Sequence, residues 1–201
     1  DTGPNTGGMG AVACRNGLIS NELLAEIEET IVQPTVAGLK ADNLPYRGFL
    51  YFGLMLTEVG PKVIEYNCRF GDPEAQAVMP LLSGDFADYV LHAAQGQLKK
   101  GAISFSDDWS VCLILASAGY PNSSRSGDVI SGLEDVSSAQ IYHAGTKKGN
   151  SGFETAGGRV LAVVAQADNR PDAVGKVYAE AGKVDFDGSQ RRTDIGTLHF
   201  E

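Results

Sequence analysis

The stretch Phe49-Leu50-Tyr51-Phe52-Gly53-Leu54-Met55-Leu56-Thr57 is apolar or aromatic at nearly every position. A run of that length and composition predicts a strand buried on both faces. Glu58-Val59-Gly60-Pro61 is turn chemistry, and Lys62 to Cys68 returns as a second strand. The segment therefore predicts a β-hairpin, and a hairpin needs further layers to bury it.

Side chains alternate faces along a strand. In Val63-Ile64-Glu65-Tyr66-Asn67-Cys68-Arg69, one face presents Ile64, Tyr66 and Cys68, which suits a core. The other presents Glu65, Asn67 and Arg69 in a row, each ~6.5–7 Å from the next. Hard cations such as Mg²⁺ take oxygen ligands of this type and complete their shell with water and phosphate oxygens. An arginine beside them offers a planar fork for carboxylate or phosphate. The competing interpretation is a solvated polar face on an edge strand, because polar-out alternation is common.

Gly3-Pro-Asn-Thr-Gly-Gly-Met-Gly10 lacks the Gly-Lys-Ser/Thr of a Walker A loop and follows no strand, so it is no dinucleotide fingerprint. Its amides are candidates to cradle an anion; a flexible turn is the alternative. Asp72 before Pro73 is helix-start chemistry, so Asp72 as an N-cap stands beside a functional role, and Glu74 suits a first helical turn. His92, His143 and His199 share no ligand spacing and are read as structural. No Gly-x-Ser-x-Gly occurs.

Residues 1–17 read as loop. A helix is expected from Ser20 to about Leu39, capped by Ser20 or Asn21 and kinked or split at Pro34. Further helices are expected over Glu74 to Leu82, Asp85 to about Leu98 and Pro171 to Ala181. Strands are expected at Val111 to Ala116, Gln140 to Ala144 and Arg159 to Ala165, separated by Pro-Asn-Ser-Ser and Lys-Lys-Gly-Asn-Ser-Gly, with Phe105 and Trp109 in a core. The change of texture near Lys99-Lys100-Gly101 divides the chain into residues 1–100 and 101–201. The 25 acidic residues outweigh 16 basic ones, a net charge of −9, which argues against nucleic-acid partners. No apolar run is long enough to span a membrane. Cys14, Cys68 and Cys112 are scattered and odd in number, which predicts reduced thiols in the cytoplasm. The opening Asp1-Thr2-Gly3-Pro4 has neither Met nor leader, and predicts a piece of a longer chain.

Gly3 to Gly10, Gly48-Phe-Leu-Tyr51 and Pro61-Lys-Val-Ile-Glu-Tyr-Asn-Cys-Arg-Phe-Gly-Asp-Pro-Glu74 together resemble the phosphoribosylamine–glycine ligase (glycinamide ribonucleotide synthetase) family of the ATP-grasp superfamily. So do Gly119-Tyr-Pro121, Gly127-Asp-Val129, His143-Ala-Gly-Thr146, Gly157-Gly-Arg-Val-Leu161 and Asp194-Ile-Gly196, in order along the chain. The resemblance implies an α+β chain: the C-terminal part of an ATP-grasp fold, then a small β-rich C-terminal domain that packs against it and closes part of the site. It implies an ADP-forming ligase of purine biosynthesis. ATP phosphorylates glycine, the amine of phosphoribosylamine attacks, and glycinamide ribonucleotide, ADP and phosphate leave.

Residue by residue, the resemblance makes Glu65 and Asn67 the ligands of Mg²⁺ or Mn²⁺ holding the ATP phosphates. Arg69 becomes the catalytic cation at the acyl phosphate. Asp1, Asn5, Thr6, Gly7, Gly8, Arg69 and Asp72 become substrate contacts, while His143 and Thr146 keep a structural role. Phe49 to Leu56 offers no further carboxylate, so the protein ligands number two. Ala11-Val-Ala-Cys-Arg15 departs from the usual family motif. The resemblance covers only the C-terminal half of the family, without the ATP-clamping lysine, so the chain alone is expected to be inactive and the missing N-terminal part to be its partner. Another ATP-grasp carboxylate–amine ligase, or a non-catalytic truncated copy, are the alternatives.

Overall fold

The computed structural model describes residues 3–99 and 101–197. In chain order it carries β1 (Gly10–Cys14), α1 (Asn21–Ile27), a π-helical turn (Glu28–Val32), α2 (Gln33–Ala41), β2 (Tyr51–Thr57), β3 (Gly60–Asn67) and α3 (Glu74–Val78). A 3-10 turn (Met79–Leu81), β4 (Leu82–Ser83), α4 (Phe86–Gln95), β5 (Ser104–Phe105) and β6 (Trp109–Ala116) follow. The chain continues with a second 3-10 turn (Leu133–Asp135), β7 (Gln140–His143), β8 (Thr146–Gly149), β9 (Gly152–Thr155), β10 (Arg159–Ala167) and α5 (Arg170–Ala181). The mixture is α+β, as expected. No helix among the described residues is long and apolar enough to cross a membrane.

Four antiparallel strands in the order β1-β6-β10-β7 form the central sheet. β6 and β10 read as continuous apolar runs because both of their faces are covered. Val111, Leu113 and Leu115, with Leu161 and Val163, pack with Ala173, Val177 and Ala181 of α5. The intervening residues Cys112 and Ile114, with Ala162 and Val164, meet Ala77 of α3 and Leu81 on the opposite face. Burying each such leucine or valine contributes about 1.5–3 kcal/mol. α5 forms because its buried residues recur every four positions. The Asn169 side chain caps it by accepting the Asp172 N–H, and Pro171 sits in its first turn.

The structure corrects the expected loop at residues 1–17: Gly10–Cys14 is a strand, pairing Gly10 with Leu113 through Cys14 with Trp109. The sheet thus joins residues from both sides of residue 100. The strand is short, its side chains are mostly small, and its partner lies far along the chain, so no local period marks it. The Lys-Lys-Gly-Asn-Ser-Gly stretch expected as a separator lies within a second hairpin, Thr146 to Thr155, whose turn is Asn150-Ser151. Ser20 caps α1 as expected, accepting the Leu23 N–H at 3.1 Å. Pro34 does not split the helix. The π turn ends one residue before α2, and Pro34 falls in the first turn of α2, so a shift of hydrogen-bond register absorbs the missing N–H.

The hairpin β2–β3 is present, but it is not buried on both faces. Met55 is 54% exposed and Ile64 61%, and Tyr66 and Cys68 are exposed as well. β2 and β3 form a two-stranded sheet of their own, so among the described residues no further strand flanks them. Tyr66 reaches α2 through a 3.1 Å hydrogen bond with Thr35. Phe105 is likewise exposed rather than in the core, whereas Trp109 is partly buried with Arg170 at 5.8 Å from its ring centroid.

Candidate active site

A β-bulge shapes the hairpin where its chemistry lies. Gly53 pairs with Glu65 but Leu54 pairs with Val63, so Ile64 is the extra residue. Beyond it, Tyr51 stands opposite Asn67, and these four residues share one face. A Cβ on Gly53 would stand 2.9 Å from Glu65 Cγ, so this glycine gives the glutamate its room. Asn67 Nδ2 donates to Glu65 Oε1 at 2.8 Å. Tyr51 Oη donates to Glu74 Oε1 at 3.3 Å. Burial, and then the negative charge of Glu74, pushes the Tyr51 phenol up to about 12, so it remains a donor at any physiological pH. Arg69 Nη1 donates to the Phe70 carbonyl at 2.7 Å, and the Phe70 ring rests 4.0 Å from that of Phe49.

Asp72 is not the N-cap of α3. Pro73 occupies that position without a side-chain cap bond. The Asp72 carboxylate instead accepts from Gln76 Nε2 at 2.8 Å and from Arg159 Nη2 at 2.7 Å. Gly8 has φ +103°, and a Cβ there would stand 2.6 Å from Pro73 Cδ, so only glycine fits against the proline. The loop amides are used within the protein: the Gly7 N–H donates to Tyr120 Oη at 2.8 Å and the Gly8 N–H to Thr6 Oγ1 at 3.2 Å.

These segments enclose a cavity of about 310 Å³. Glu65, Asn67, Arg69, Asp72, Thr6 and Gly7 line it, as the sequence suggested. Gly8, packed on Pro73, and the exposed Asn5 are outside its lining, and Asp1 lies outside the described residues. Tyr51, Gly71 and Arg159 also line it and were missed, as does Glu74, which the sequence left between a helix-start and a functional role. Pairing the two strands in register would have found Tyr51. Arg159 comes from β10, and no local pattern links it to the hairpin. His143 lies elsewhere, its Nδ1 2.9 Å from Thr146 Oγ1 and its ring against Phe153. A larger cavity of about 550 Å³ lies on the other side of Thr6, but its walls are mostly apolar and its Arg192 is spent on Asp194.

The Glu65 carboxylate and the Asn67 amide, both in the lining of the smaller cavity, offer hard oxygen donors suited to Mg²⁺ or Mn²⁺. Among the described residues no three His, Cys, Asp or Glu side chains are arranged to hold a metal alone. The donor set therefore fits an ion that takes the rest of its shell from water and a bound phosphate. Rotating the Asn67 amide would replace the nitrogen now facing Glu65 with oxygen. The guanidiniums of Arg69 and Arg159 are the cations in the same lining.

Residues 1–75 match the family Phosphoribosylglycinamide synthetase, ATP-grasp (A) domain, and residues 110–198 match its C domain. The chain is 47% identical over 195 residues to a phosphoribosylamine–glycine ligase of Caldanaerobacter subterraneus subsp. tengcongensis, covering 97% of this chain and 46% of that protein. It is 40% identical over 199 residues to the human trifunctional purine biosynthetic protein adenosine-3, covering 98% of this chain and 20% of that protein. The crystal structure of the phosphoribosylamine–glycine ligase from Thermotoga maritima superposes with a TM-score of 0.85 at 35% identity, over 97% of this chain and 48% of that one. The chain spans about half the length of the single-function ligases it matches. With both family matches falling in order on one chain, it belongs to the phosphoribosylglycinamide synthetase family, of which it is a C-terminal portion.

Proposed function

We propose that this chain is the C-terminal portion of an ADP-forming ligase that joins glycine to 5-phosphoribosylamine. The observation that carries the reading is the single cavity holding Glu65, Asn67 and Arg69 beside Thr6, Gly7 and Asp72. ATP passes its γ-phosphoryl group to the glycine carboxylate, giving glycyl phosphate and ADP. The amine of phosphoribosylamine then attacks the acyl carbon, phosphate leaves, and a proton is lost from the new amide nitrogen of glycinamide ribonucleotide.

Glu65 and Asn67 would hold the Mg²⁺ or Mn²⁺ that accompanies ATP. When bound, the ion neutralises phosphate charge and aligns the transferring group. Arg69 stands ready to offset the charge that develops on the acyl phosphate. Asp72, Thr6 and Gly7 form the substrate wall, and Asn5, Gly8 and Asp1 are assigned as further substrate contacts. Labour divides near residue 100: the first part supplies the metal and phosphate groups, and the second braces the wall. The activity requires the upstream part of the protein, and the cytoplasm is its compartment.

Glu65→Gln in the full-length protein tests the assignment. Glu65 is exposed, so the fold should be retained. Turnover should fall at least about a hundredfold, since metal-centred charge stabilisation is worth several kcal/mol. Wild-type turnover in a folded variant would overturn the metal assignment.

A further inference from the structure

Gly7 is gripped from both sides by side chains of the C-terminal half. Its N–H donates to Tyr120 Oη at 2.8 Å, and its carbonyl accepts from Arg159 Nη1 at 2.6 Å. The same guanidinium reaches the Gly8 carbonyl at 3.4 Å, the Asp72 carbonyl at 2.7 Å and the Asp72 carboxylate at 2.7 Å. One arginine thus ties together the glycine loop, the turn after β3 and strand β10.

The glycines around this contact are explained by space. A Cβ on Gly7 would lie 3.2 Å from both Arg159 Cζ and Tyr120 Oη. A Cβ on Gly158 would drive into the Tyr120 ring. Gly158 therefore admits the ring that meets Gly7, and Arg159 follows it directly on β10. Tyr120 is further held by Gln190 Nε2, which donates to its carbonyl at 3.0 Å.

We propose that Arg159 and Tyr120 are positioning residues of the ligase site. They set the Thr6–Gly7 wall and Asp72 in the cavity beside Glu65 and Asn67, and so control docking of the acid and amine substrates rather than of the metal-bound nucleotide. This rests on the ligase reading above. Tyr120 stands behind the wall and acts through Gly7. Arg159 lines the cavity itself, but its Nη donors are directed at the Gly7 carbonyl and at Asp72.

The test uses the full-length protein with Tyr120→Phe and Arg159→Lys. Tyr120→Phe keeps the ring over Gly158 and removes one hydrogen bond. Arg159→Lys keeps the charge and loses the fork that spans Gly7 and Asp72. Each is expected to raise KM for glycine or phosphoribosylamine about tenfold, the scale of one lost hydrogen bond to a positioned group, with KM for ATP and the melting temperature unchanged. Unchanged KM values for all three substrates, with only a lower melting temperature, would show a purely structural brace and overturn the proposal. A rise confined to ATP would overturn it too. A wild-type protein without ADP release dependent on both substrates would instead sink the ligase reading.

Discussion

Glu180, on the buried face of α5, is only 5% exposed. Its carboxylate accepts from Lys183 Nζ at 2.8 Å, Ser138 Oγ at 2.6 Å and the Ser137 N–H at 2.9 Å. Those bonds, the Lys183 contact foremost, hold it well below its ordinary 4.5, at about 2. A depressed carboxylate stabilises the fold above its ordinary value and loses that contribution as pH falls through the folded one. The gap in urea midpoint between wild type and Glu180→Gln in the full-length protein should therefore be constant above about pH 4.5 and narrow as pH falls towards about 2. A gap that stays constant across that range would contradict the assignment. Nothing in the sequence marked Glu180: Lys183 is close along the chain, but Ser137 and Ser138, which complete its bonding, come from a distant loop. Glu65, Asn67 and Arg69 were legible for the opposite reason. Alternation along one strand is local, and the bulge at Ile64 lies just before them. Arg159 shows the limit of local reading: it joins the site only after β10 has paired beside β6.

At the scale of elements, the hairpin carries the chemistry and Gly53 is its point of adjustment. A methyl group there stands 2.9 Å from Glu65 Cγ, so the glutamate must move by a few tenths of an ångström. Gly53→Ala should leave the melting temperature of the full-length protein unchanged, because alanine suits a strand at least as well as glycine. The metal concentration at half-maximal activity should rise about three- to tenfold, the cost of a displaced ligand. An unchanged metal dependence would contradict the placement of Glu65 as a ligand. Long, strongly patterned elements were readable: β6, β10 and α5 stand close to where their apolar runs fall. Elements specified by distant partners were not. β1 is made of Gly-Ala-Val-Ala-Cys, and its strand character comes from β6. The hairpin's apolar residues were read as core, yet among the described residues no strand flanks β2 and β3.

At the scale of the whole molecule, the sheet β1-β6-β10-β7 takes one strand from before the hairpin and three from beyond it. Through that sheet, β10 brings Arg159 to the loop and turn that adjoin the hairpin. The C-terminal half is thereby part of the cavity wall. Glu65, Asp72 and Glu74 line the cavity against Arg69 and Arg159, so an anion entering it would depend on those two guanidiniums and a bound cation rather than on the overall charge of −9. The chain spans about half of the ligases it matches, so its central claim is tested on the protein with its upstream sequence. The decisive measurement is ADP release by that protein with glycine and freshly generated phosphoribosylamine, added singly and together. The account predicts ADP release that requires both. ADP formed equally without glycine or without the amine, or no ADP under any of these conditions, would contradict it.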